Sequence, residues 1–499
     1  MKNVSFLNIL VLLILGVNSS NNKYNYSGYS ATSTNTDLTG VSLSSTTSDQ
    51  SVVYITQTGK TISSSTLAKT SGDSSYTEYS EFYGVNAAVL VQGGGVTITD
   101  GTITTAAKGA NAVCATNGGT VTISGTTIES TASGSARGLH ATYGGSITGN
   151  KVTISSTGGS CANLATDRGE GTVTCTECTL STEGAGSPLI YSTGTITANS
   201  CTGTASGAQM VVVEGKNTAT VEDSTFKCTG VGNRNDVDKC GIMLYQSMSG
   251  DADSGTSTFN CKSSSMEIMS DSSVYSSAPM FFITNTDAVI KLESCTFTYG
   301  SGTFLDAEGT SEWGTSGSNG GHVTMTLTNQ NIEGDFVVDS SSSLSITMVN
   351  STIKGKINNS KVNTAISIIL DANSAITLTG DSYISSLTNG DTTGSNINKG
   401  SYTFADYNGN NYSGSTSNDN KSNNTTSNNI TSNDNTPNNN TSNDNTSNNN
   451  TPNNNTSNNN TPNNNTPNTS NNNTSNNQNQ MIIILSVILI MIIIFALIS

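Results

Sequence analysis

Short segments of nearly the same sequence recur along the chain, and their spacing is the strongest constraint on its fold. The clearest copies are AAVLVQGGGVTITDGTI at 87–103, NAVCATNGGTVTISGTTI at 111–128 and GLHATYGGSITGNKVTI at 138–154. Aligned on the residue before each turn, successive copies are 24, 26, 24, 26 and 22 residues apart. The aligned residues are Gln92, Thr116, Thr142, Thr166, Ser192 and Glu214. Repeats of this length indicate a stacked solenoid.

Within each repeat, apolar residues alternate with threonine or serine, as in TVTIS and GTVTC, and glycine pairs separate the segments. A period of two is typical of strands with one buried face. Helical spacing is absent from the repeats, which argues against leucine-rich and ankyrin arrays. We therefore predict an all-β fold, a right-handed parallel β-helix solenoid over residues 51–409 with coils of about 22–26 residues. The interior residues predicted to stack are Val121, Ile123 and Ile128 over Val173, Cys175 and Leu180.

Composition supports this prediction and narrows the partners. The chain has 49 glycines, 11% charged residues and 6% aromatic residues, which suits strands and turns better than helical bundles. The formal net charge of −16 argues against nucleic acid or anionic lipid as a partner of the folded part.

Both ends of the chain differ from the repeats. Residues 1–20 have the layout of a secretory signal peptide, and 21–50 are expected to form an N-terminal leader or cap. Residues 410–480 are rich in Asn, Thr, Ser and Pro and predict a disordered, glycosylated stalk. The candidate glycosylation residues are Asn424, Asn440, Asn445, Asn455 and Asn473.

The hydrophobic C-terminal segment, residues 481–499, predicts attachment to a membrane. It is followed by no Lys or Arg, which favours a cleaved lipid-anchor (GPI) signal with Asn468 and Ser470 as candidate attachment residues. A retained transmembrane helix is the alternative. Either reading, together with the signal peptide, places the protein on the extracellular side of the plasma membrane.

The order of the repeat motifs also carries a family resemblance. From GVNAAVL through LHATYGG, PLIYSTG and MFFITNTDA to WGTSGSNGG, the chain resembles right-handed β-helical, adhesin-like extracellular proteins of bacteria and some microbial eukaryotes. The resemblance covers about three-fifths of the chain. It implies a pectate-lyase-like architecture displayed at a surface, without the catalytic motifs of that architecture.

Charged residues in matching turns predict a polar stripe along one edge of the solenoid. Stacking brings equivalent turns about 4.8 Å apart per coil, so the stripe could bind a glycan or Ca²⁺; a solvated turn edge is the alternative. No other cofactor is expected, and no metal ligand set is predicted. The stripe residues are Asp167, Arg168, Glu170, Glu214, Lys216, Asp251, Asp253 and Asp287.

Evidence for an enzyme is weaker. The tripeptide NTD at 285–287 matches part of a polygalacturonase-like site, but an adjacent Asp pair, Gly-His-Gly and Arg-Ile-Lys are lacking. His322 has no acidic neighbour in the sequence, and His140 is interpreted as an outward strand residue. A polysaccharide-active enzyme therefore remains an alternative without assigned catalytic residues.

Threonines at outward strand positions suggest another alternative. Thr-x-Thr or Ser-x-Thr pairs recur in successive coils, for example Thr120-x-Thr122 and Thr172-x-Thr174. Stacked rows of this kind would give the regular surface of an ice-binding solenoid, whereas β-propensity alone also explains them. Varying coil lengths are expected to tilt the rows.

Nine cysteines in a secreted chain leave at least one without an intramolecular partner. Coil alignment places Cys178 and Cys201 in one column at disulfide distance, and a Cys228–Cys240 bond would close a polar insertion. Free buried thiols are the alternative. Cys175 and Cys178 are expected to point to opposite faces of a strand.

These features favour a membrane-anchored surface protein that acts in adhesion, carbohydrate binding or a surface coat. Its expected partners are glycans, or the surface of a host or neighbouring cell. The polysaccharide-active enzyme explains only the repeat domain, and the ice-binding protein explains only one surface of it.

Overall fold

The described part of the protein is built almost wholly from parallel strands. We analysed a computed structural model that describes residues 26–234 and 237–415. These described residues belong to one compact unit. The predicted signal peptide, the stalk beyond residue 415, the glycosylation and anchor residues and the C-terminal segment 481–499 lie outside the described residues. Within 26–415, no helix is long and apolar enough to cross a membrane.

Most coils contribute one strand to each of three parallel sheets, which we call the first, second and third faces. The strands of the first face are Ser30–Thr34, Gln50–Ile55, Val89–Gln92, Val113–Thr116, Leu139–Ala141, Leu164–Thr166, Ile190–Ser192, Val211–Glu214, Ile242–Tyr245, Phe281–Thr284, Thr303–Ala307 and Asp335–Val338. Those of the second face are Leu38–Thr39, Lys60–Ser63, Gly95–Thr99, Thr120–Ser124, Gly145–Asn150, Gly171–Thr176, Thr195–Asn199, Thr218–Glu222, Thr256–Lys262, Thr286–Glu293, Gly321–Thr328, Ser343–Val349, Ile366–Leu370 and Ser386–Asn389.

The strands of the third face are Ser42–Ser45, Thr66–Lys69, Thr102–Thr105, Thr127–Ser130, Thr153–Ser156, Thr179–Thr182, Thr202–Ala205, Thr225–Cys228, Ser265–Ile268 and Thr296–Thr298. Two smaller sheets serve the last coils: Asn331–Glu333, Thr352–Gly355, Ala375–Leu378 and Ile397–Asn398 form one, and Ser382–Tyr383 and Phe404–Ala405 form the other. This arrangement confirms the prediction of an all-β parallel β-helix.

The interior is formed by the apolar residues of the period-two pattern. Val121 pairs with Ile147, which pairs with Val173, and Ile128 is linked in the same way to Leu180 through Ile154. The predicted interior residues are all at most 2% exposed, with one coil between the two predicted sets. Parallel pairing therefore places like residues above one another and forms one continuous apolar core.

The corner between the second and third faces explains how the chain turns without exposing its core. The residue at this corner adopts a left-handed conformation, with φ of 53° at Glu177 and at Ser200. The next residue points inward, and in several coils its side chain accepts a hydrogen bond from the preceding coil. The Cys201 N–H donates to Ser224 Oγ at 2.9 Å, and the Ser224 N–H donates to Ser264 Oγ at 3.0 Å. These bonds satisfy backbone groups that water cannot reach.

Some boundaries and alignments differ from the prediction. The first coil begins at Ser30, inside the segment 21–50 that was expected to be a leader or cap. Thr166 pairs with Ala141 rather than Thr142, and Ser192 pairs with Val213 rather than Glu214. The turns that follow these strands differ in length by one residue between coils. The polar sequences of the turns do not show which coils have the longer turn.

Longer insertions leave the strand register intact because they occur between faces. Residues 229–241 and 269–280 connect the third face to the first, and residues 246–255 and 308–320 connect the first face to the second. Thr218 still pairs with Thr258, 40 residues later, in the same register as the neighbouring coils. The extra chain is thus available to cover the outside of the solenoid.

The outer side of the first face is covered, unlike an ordinary solvated sheet. Helix Thr77–Tyr83 and its C-cap Gly84 cover the early coils, where Leu90 and Cys114 are buried. In later coils an apolar cluster lies outside the sheet and includes Trp313 from the insertion 308–320. The buried residues of that cluster are Val212, Cys240, Met243, Phe282 and Trp313.

The cysteine prediction was wrong in its pairing. Cys175 and Cys178 form a disulfide bond, whereas Cys201, Cys228 and Cys240 are free and buried. Cys178 and Cys201 do share a column, because the residues that follow them are paired. Cys228 belongs to the main core and Cys240 to the apolar cluster outside the first face, and the two thiols are not bonded.

The Cys175–Cys178 bond exists because the corner lies between the two residues. Glu177 turns the chain with its left-handed φ of 53°, so Cys178 does not continue the alternation of the strand Gly171–Thr176. Both sulfurs therefore point into the core, and the expectation that they face opposite sides was wrong.

Candidate functional site

Five of the predicted stripe residues meet at the edge between the first and second faces. Arg168 Nη2 lies 2.8 Å from Asp251 Oδ1. Lys216 Nζ lies 2.9 Å from Glu170 Oε1 and 3.0 Å from Asp253 Oδ2. We call these five side chains the charged network. They are part exposed to exposed, and each cation is bonded to carboxylates from another coil or insertion, so the edge carries alternating charge.

Asp167, the sixth stripe residue, is buried and belongs to an internal ion pair. It is 3% exposed, and its Oδ2 lies 2.9 Å from Arg137 Nη2. Burial raises the pKa of Asp167 to about 7, although the Arg137 guanidinium lowers it in part. A ligand at the surface cannot contact this carboxylate, so its predicted binding role was wrong.

Glu214 is also buried, beneath the insertion 246–255. Its carboxylate accepts hydrogen bonds from the hydroxyls of Tyr191 at 2.5 Å and Tyr245 at 2.9 Å, and from Ser247. Its 1% exposure leaves no surface for a ligand. Glu214 therefore fixes the insertion onto the first face and is not a surface residue of the stripe.

His140 lies on the outer side of the first face, as predicted for an outward strand residue, but it is fully buried. Its Nδ1 lies 3.8 Å from Cys114 Sγ and its Nε2 lies 3.2 Å from Arg137 Nη1. Burial and the adjacent Arg137 lower its pKa well below the usual value. Burial also raises the pKa of the Cys114 thiol to about 12. Both groups are therefore neutral near pH 7, and the pair lacks the thiolate of a catalytic cysteine.

A cluster of tyrosines adjoins the charged network and was missed in the sequence. Ring centroids are 4.8 Å apart for Tyr26 and Tyr79 and 5.1 Å apart for Tyr76 and Tyr79. Tyr76 is 65% exposed. We call the part-exposed or exposed members the tyrosine surface; they are Tyr26, Tyr29, Tyr54, Tyr76, Tyr79 and Tyr83.

The tyrosine surface and the charged network are continuous. The Tyr83 ring stacks on Tyr143 at 5.6 Å, and Gly169 lies directly against the Tyr143 ring. Phe82 precedes Tyr83 in helix Thr77–Tyr83, and the centroid of its ring lies 3.8 Å from the guanidinium carbon of Arg168. Clustered tyrosines at 26–29 and 76–83 were a visible signal in the sequence, but only the fold brings them together.

Asp287, the last stripe residue, lies apart from the others on the second face. It pairs in register with His322, which pairs with Ser343. His322 Nδ1 is 3.1 Å from Ser343 Oγ. Asp287 and His322 both line two shallow depressions of 450 and 370 Å³. His322 has no acidic neighbour within its own sequence segment, and Asp287 is brought beside it from the adjacent coil.

The outward threonines of the second face form straight columns. One column runs through Thr120, Ser146, Thr172, Thr195 and Thr218. A second column contains Thr97, Thr122, Thr148, Thr174, Thr197 and Thr220. The expected tilt from unequal coil lengths is absent across these strands, since the extra residues lie in the corners. The strand Gly95–Thr99 is offset by two residues relative to the sequence alignment of the Thr-x-Thr pairs, so that Thr97 aligns with Thr122 and Thr99 with Ser124.

Neither a search for metal-binding groups nor a comparison with known proteins assigns a function to this site. Among residues 26–234 and 237–415, no group of three or more His, Cys, Asp or Glu side chains is arranged to hold a metal ion. The chain matches no protein-family model, no curated protein and no solved structure.

Proposed function

We propose that the protein is a cell-surface β-helix that binds carbohydrate and acts in adhesion. The observation that carries this proposal is the tyrosine surface, which continues into the charged network at Arg168. Tyrosine offers an apolar ring and a hydroxyl with little conformational entropy to lose. Neighbouring carboxylates and cations supply directional hydrogen bonds for sugar hydroxyls.

The expected display of this surface rests on the sequence at both ends. A signal peptide, a glycosylated stalk and a hydrophobic C-terminal segment suit a protein that holds its β-helix away from a membrane. Glycans of a host or neighbouring cell are the proposed partners. The net charge of −16 supports a partner other than nucleic acid.

A glycan array probed with the full-length protein in detergent tests the proposal. We expect binding to a defined set of glycans and at least a tenfold loss of affinity in Tyr76→Ala, since removal of an anchoring aromatic side chain costs about 2 kcal/mol or more. The matched control is Tyr402→Ala, which removes another exposed ring, 40% accessible, outside the tyrosine surface. Equal loss in both variants, or no glycan binding at all, would contradict the proposal.

The same glycans should be examined for cleavage, because Asp287, His322 and Ser343 lie side by side in a groove. A binding protein returns them intact. Release of new reducing ends by the parent protein and its loss in His322→Asn would instead favour the polysaccharide-active alternative.

Ice binding is a second candidate, favoured by the two threonine columns of the second face. Threonines in one strand are about 6.6–7 Å apart and those in adjacent strands about 4.8 Å, which gives a regular array of methyl and hydroxyl groups. Thermal hysteresis that disappears in Thr148→Lys and survives in Thr153→Lys, on the third face, would support it. Ice growth unaffected by the parent protein removes this candidate.

A further inference from the structure

Two cysteines of successive coils approach each other closely inside the β-helix. Cys261 lies in strand Thr256–Lys262, and Cys295 follows the corner at Ser294 in the next coil. Their Sγ atoms are 2.7 Å apart. Non-bonded heavy atoms make their best contacts at about 3.5–4.0 Å, so this pair is closer than ordinary packing requires. Both residues are buried, at 2% and 7% exposure.

The positions of these cysteines repeat the geometry of the disulfide that is already present. Cys261 lies in the same interior column as Cys175, through Ala198 and Val221. Cys295 and Cys178 share the corner column, because the residues that follow them belong to one continuous row of paired strands. The Cys175–Cys178 disulfide joins this interior column to this corner column within one coil, so side chains in the two columns can reach bonding distance.

We propose that Cys261 and Cys295 form a second disulfide, which joins two neighbouring coils. It would close the chain around the insertion 269–280 and the strand Phe281–Thr284, where longer segments replace the regular coil. Cys261 also contributes to the lining of a depression of 270 Å³ on the second face, together with Lys291 and Glu293. The bond would therefore fix the strands beneath that surface.

Formation requires an oxidant, for which a low-molecular-weight disulfide such as oxidised glutathione is sufficient. Both sulfurs are buried once the coils are stacked, so the exchange takes place before the coils close, and it can start at the Cys295 thiol. Its thiolate attacks one glutathione sulfur, breaks the glutathione disulfide and releases one glutathione thiolate, which takes a proton. The Cys261 thiolate then attacks Cys295 Sγ in the mixed disulfide and releases the second glutathione. Two protein thiols are oxidised and one glutathione disulfide is reduced to two thiols.

Peptide mapping of the full-length protein, purified in detergent from a eukaryotic secretory pathway, tests the bond. The protein is unfolded in acid with N-ethylmaleimide, deglycosylated and digested with trypsin without reductant. We expect residues 240–262 to be linked to residues 292–354, and the linked species to disappear after reduction. Recovery of Cys261 and Cys295 as alkylated free thiols from the parent protein would overturn the proposal without any variant.

Two variants identify the sulfurs involved. Peptide 240–262 also contains Cys240, so Cys240→Ser must leave the link in place, whereas Cys261→Ser must abolish it. A link that persists in Cys261→Ser, or is lost in Cys240→Ser while that variant remains folded by circular dichroism, contradicts the assignment. The result is independent of carbohydrate binding, because it is read from covalent connectivity alone.

Discussion

Asp306 shows how a single side chain responds to the covered first face. It projects outward between Phe282 and Val337, and its Oδ1 is buried without a hydrogen-bond partner in the described chain. Burial, with smaller contributions from Glu308 and Asp339, raises its pKa to about 7. The carboxyl group is therefore more readily protonated in the folded protein than in the unfolded chain.

This pKa shift predicts a pH-dependent effect of Asp306→Asn. Between about pH 4 and pH 7 the folded protein binds more protons than the unfolded chain, so the contribution of Asp306 to the free energy of unfolding falls as pH rises. We expect Asp306→Asn to be more stable than the parent protein at pH 8 by about 1–2 kcal/mol, and the difference to vanish near pH 4.

Urea unfolding at several pH values measures this difference. The control is Asp271→Asn, which replaces an exposed carboxylate on the insertion 269–280. A constant difference between Asp306→Asn and the parent protein from pH 4 to pH 8 would show that Asp306 does not titrate in this range.

At the scale of elements, helix Thr77–Tyr83 holds the tyrosine surface against the solenoid. The Phe82 carbonyl accepts a hydrogen bond from Thr142 Oγ1 at 2.8 Å, and the Ser80 carbonyl accepts one from Asn111 Nδ2 at 2.8 Å. The helix ends at Gly84, where φ is 68°. A Cβ there would lie 2.4 Å from Cys114 Sγ, so glycine permits both the turn and the close approach.

Gly84→Ala should therefore weaken the docking of this helix. The left-handed conformation costs a residue other than glycine about 1–3 kcal/mol, and the contact with Cys114 adds to this cost. We expect faster proteolysis of residues 70–86 and weaker glycan binding. Gly118→Ala is the matched control, since its φ is 72° but a Cβ would meet nothing within 4 Å. Equal protease resistance of the two variants would show that the contact is unimportant.

The elements also show where sequence reasoning ends. The period-two pattern predicted the interior, because burial of one side of a strand is a local property, as at Val121 and Ile123. The cover of the first face depends on contacts between distant segments, such as Thr142 with Phe82, 60 residues apart. The sequence placed Asp167 and Glu214 in turns, which was not enough to reveal the layer that buries them.

For the candidate site, the stacking of coils predicted that the charged turn residues lie along one edge, but it did not predict which cation pairs with which carboxylate. Arg168 and Asp251 are 83 residues apart and meet because an insertion folds back over the edge. The Cys175–Cys178 bond was not predicted, because it depends on the left-handed conformation of Glu177. The residue type at this position does not reveal that conformation.

At the scale of the whole molecule, the mode of membrane attachment has a direct test on intact cells. If the C-terminal segment is a lipid-anchor signal, phosphatidylinositol-specific phospholipase C should release most of the protein into the medium. Replacement of the segment by an established transmembrane helix gives the control that should stay bound. Protein that is retained, with peptides from Met481 onward in the membrane fraction, would favour the transmembrane alternative.

The position of the insertions between faces has a consequence for engineering and for sequence drift. Because strand pairing passes through the insertions unchanged, a corner loop can lengthen, shorten or be exchanged while the stack beneath it keeps its geometry. A short epitope tag after Gly317, where a Cβ would meet nothing within 4 Å, should be displayed without loss of folding. The stacked strands are therefore a constant framework, and exchange of a single loop between two faces can give the protein a new binding specificity.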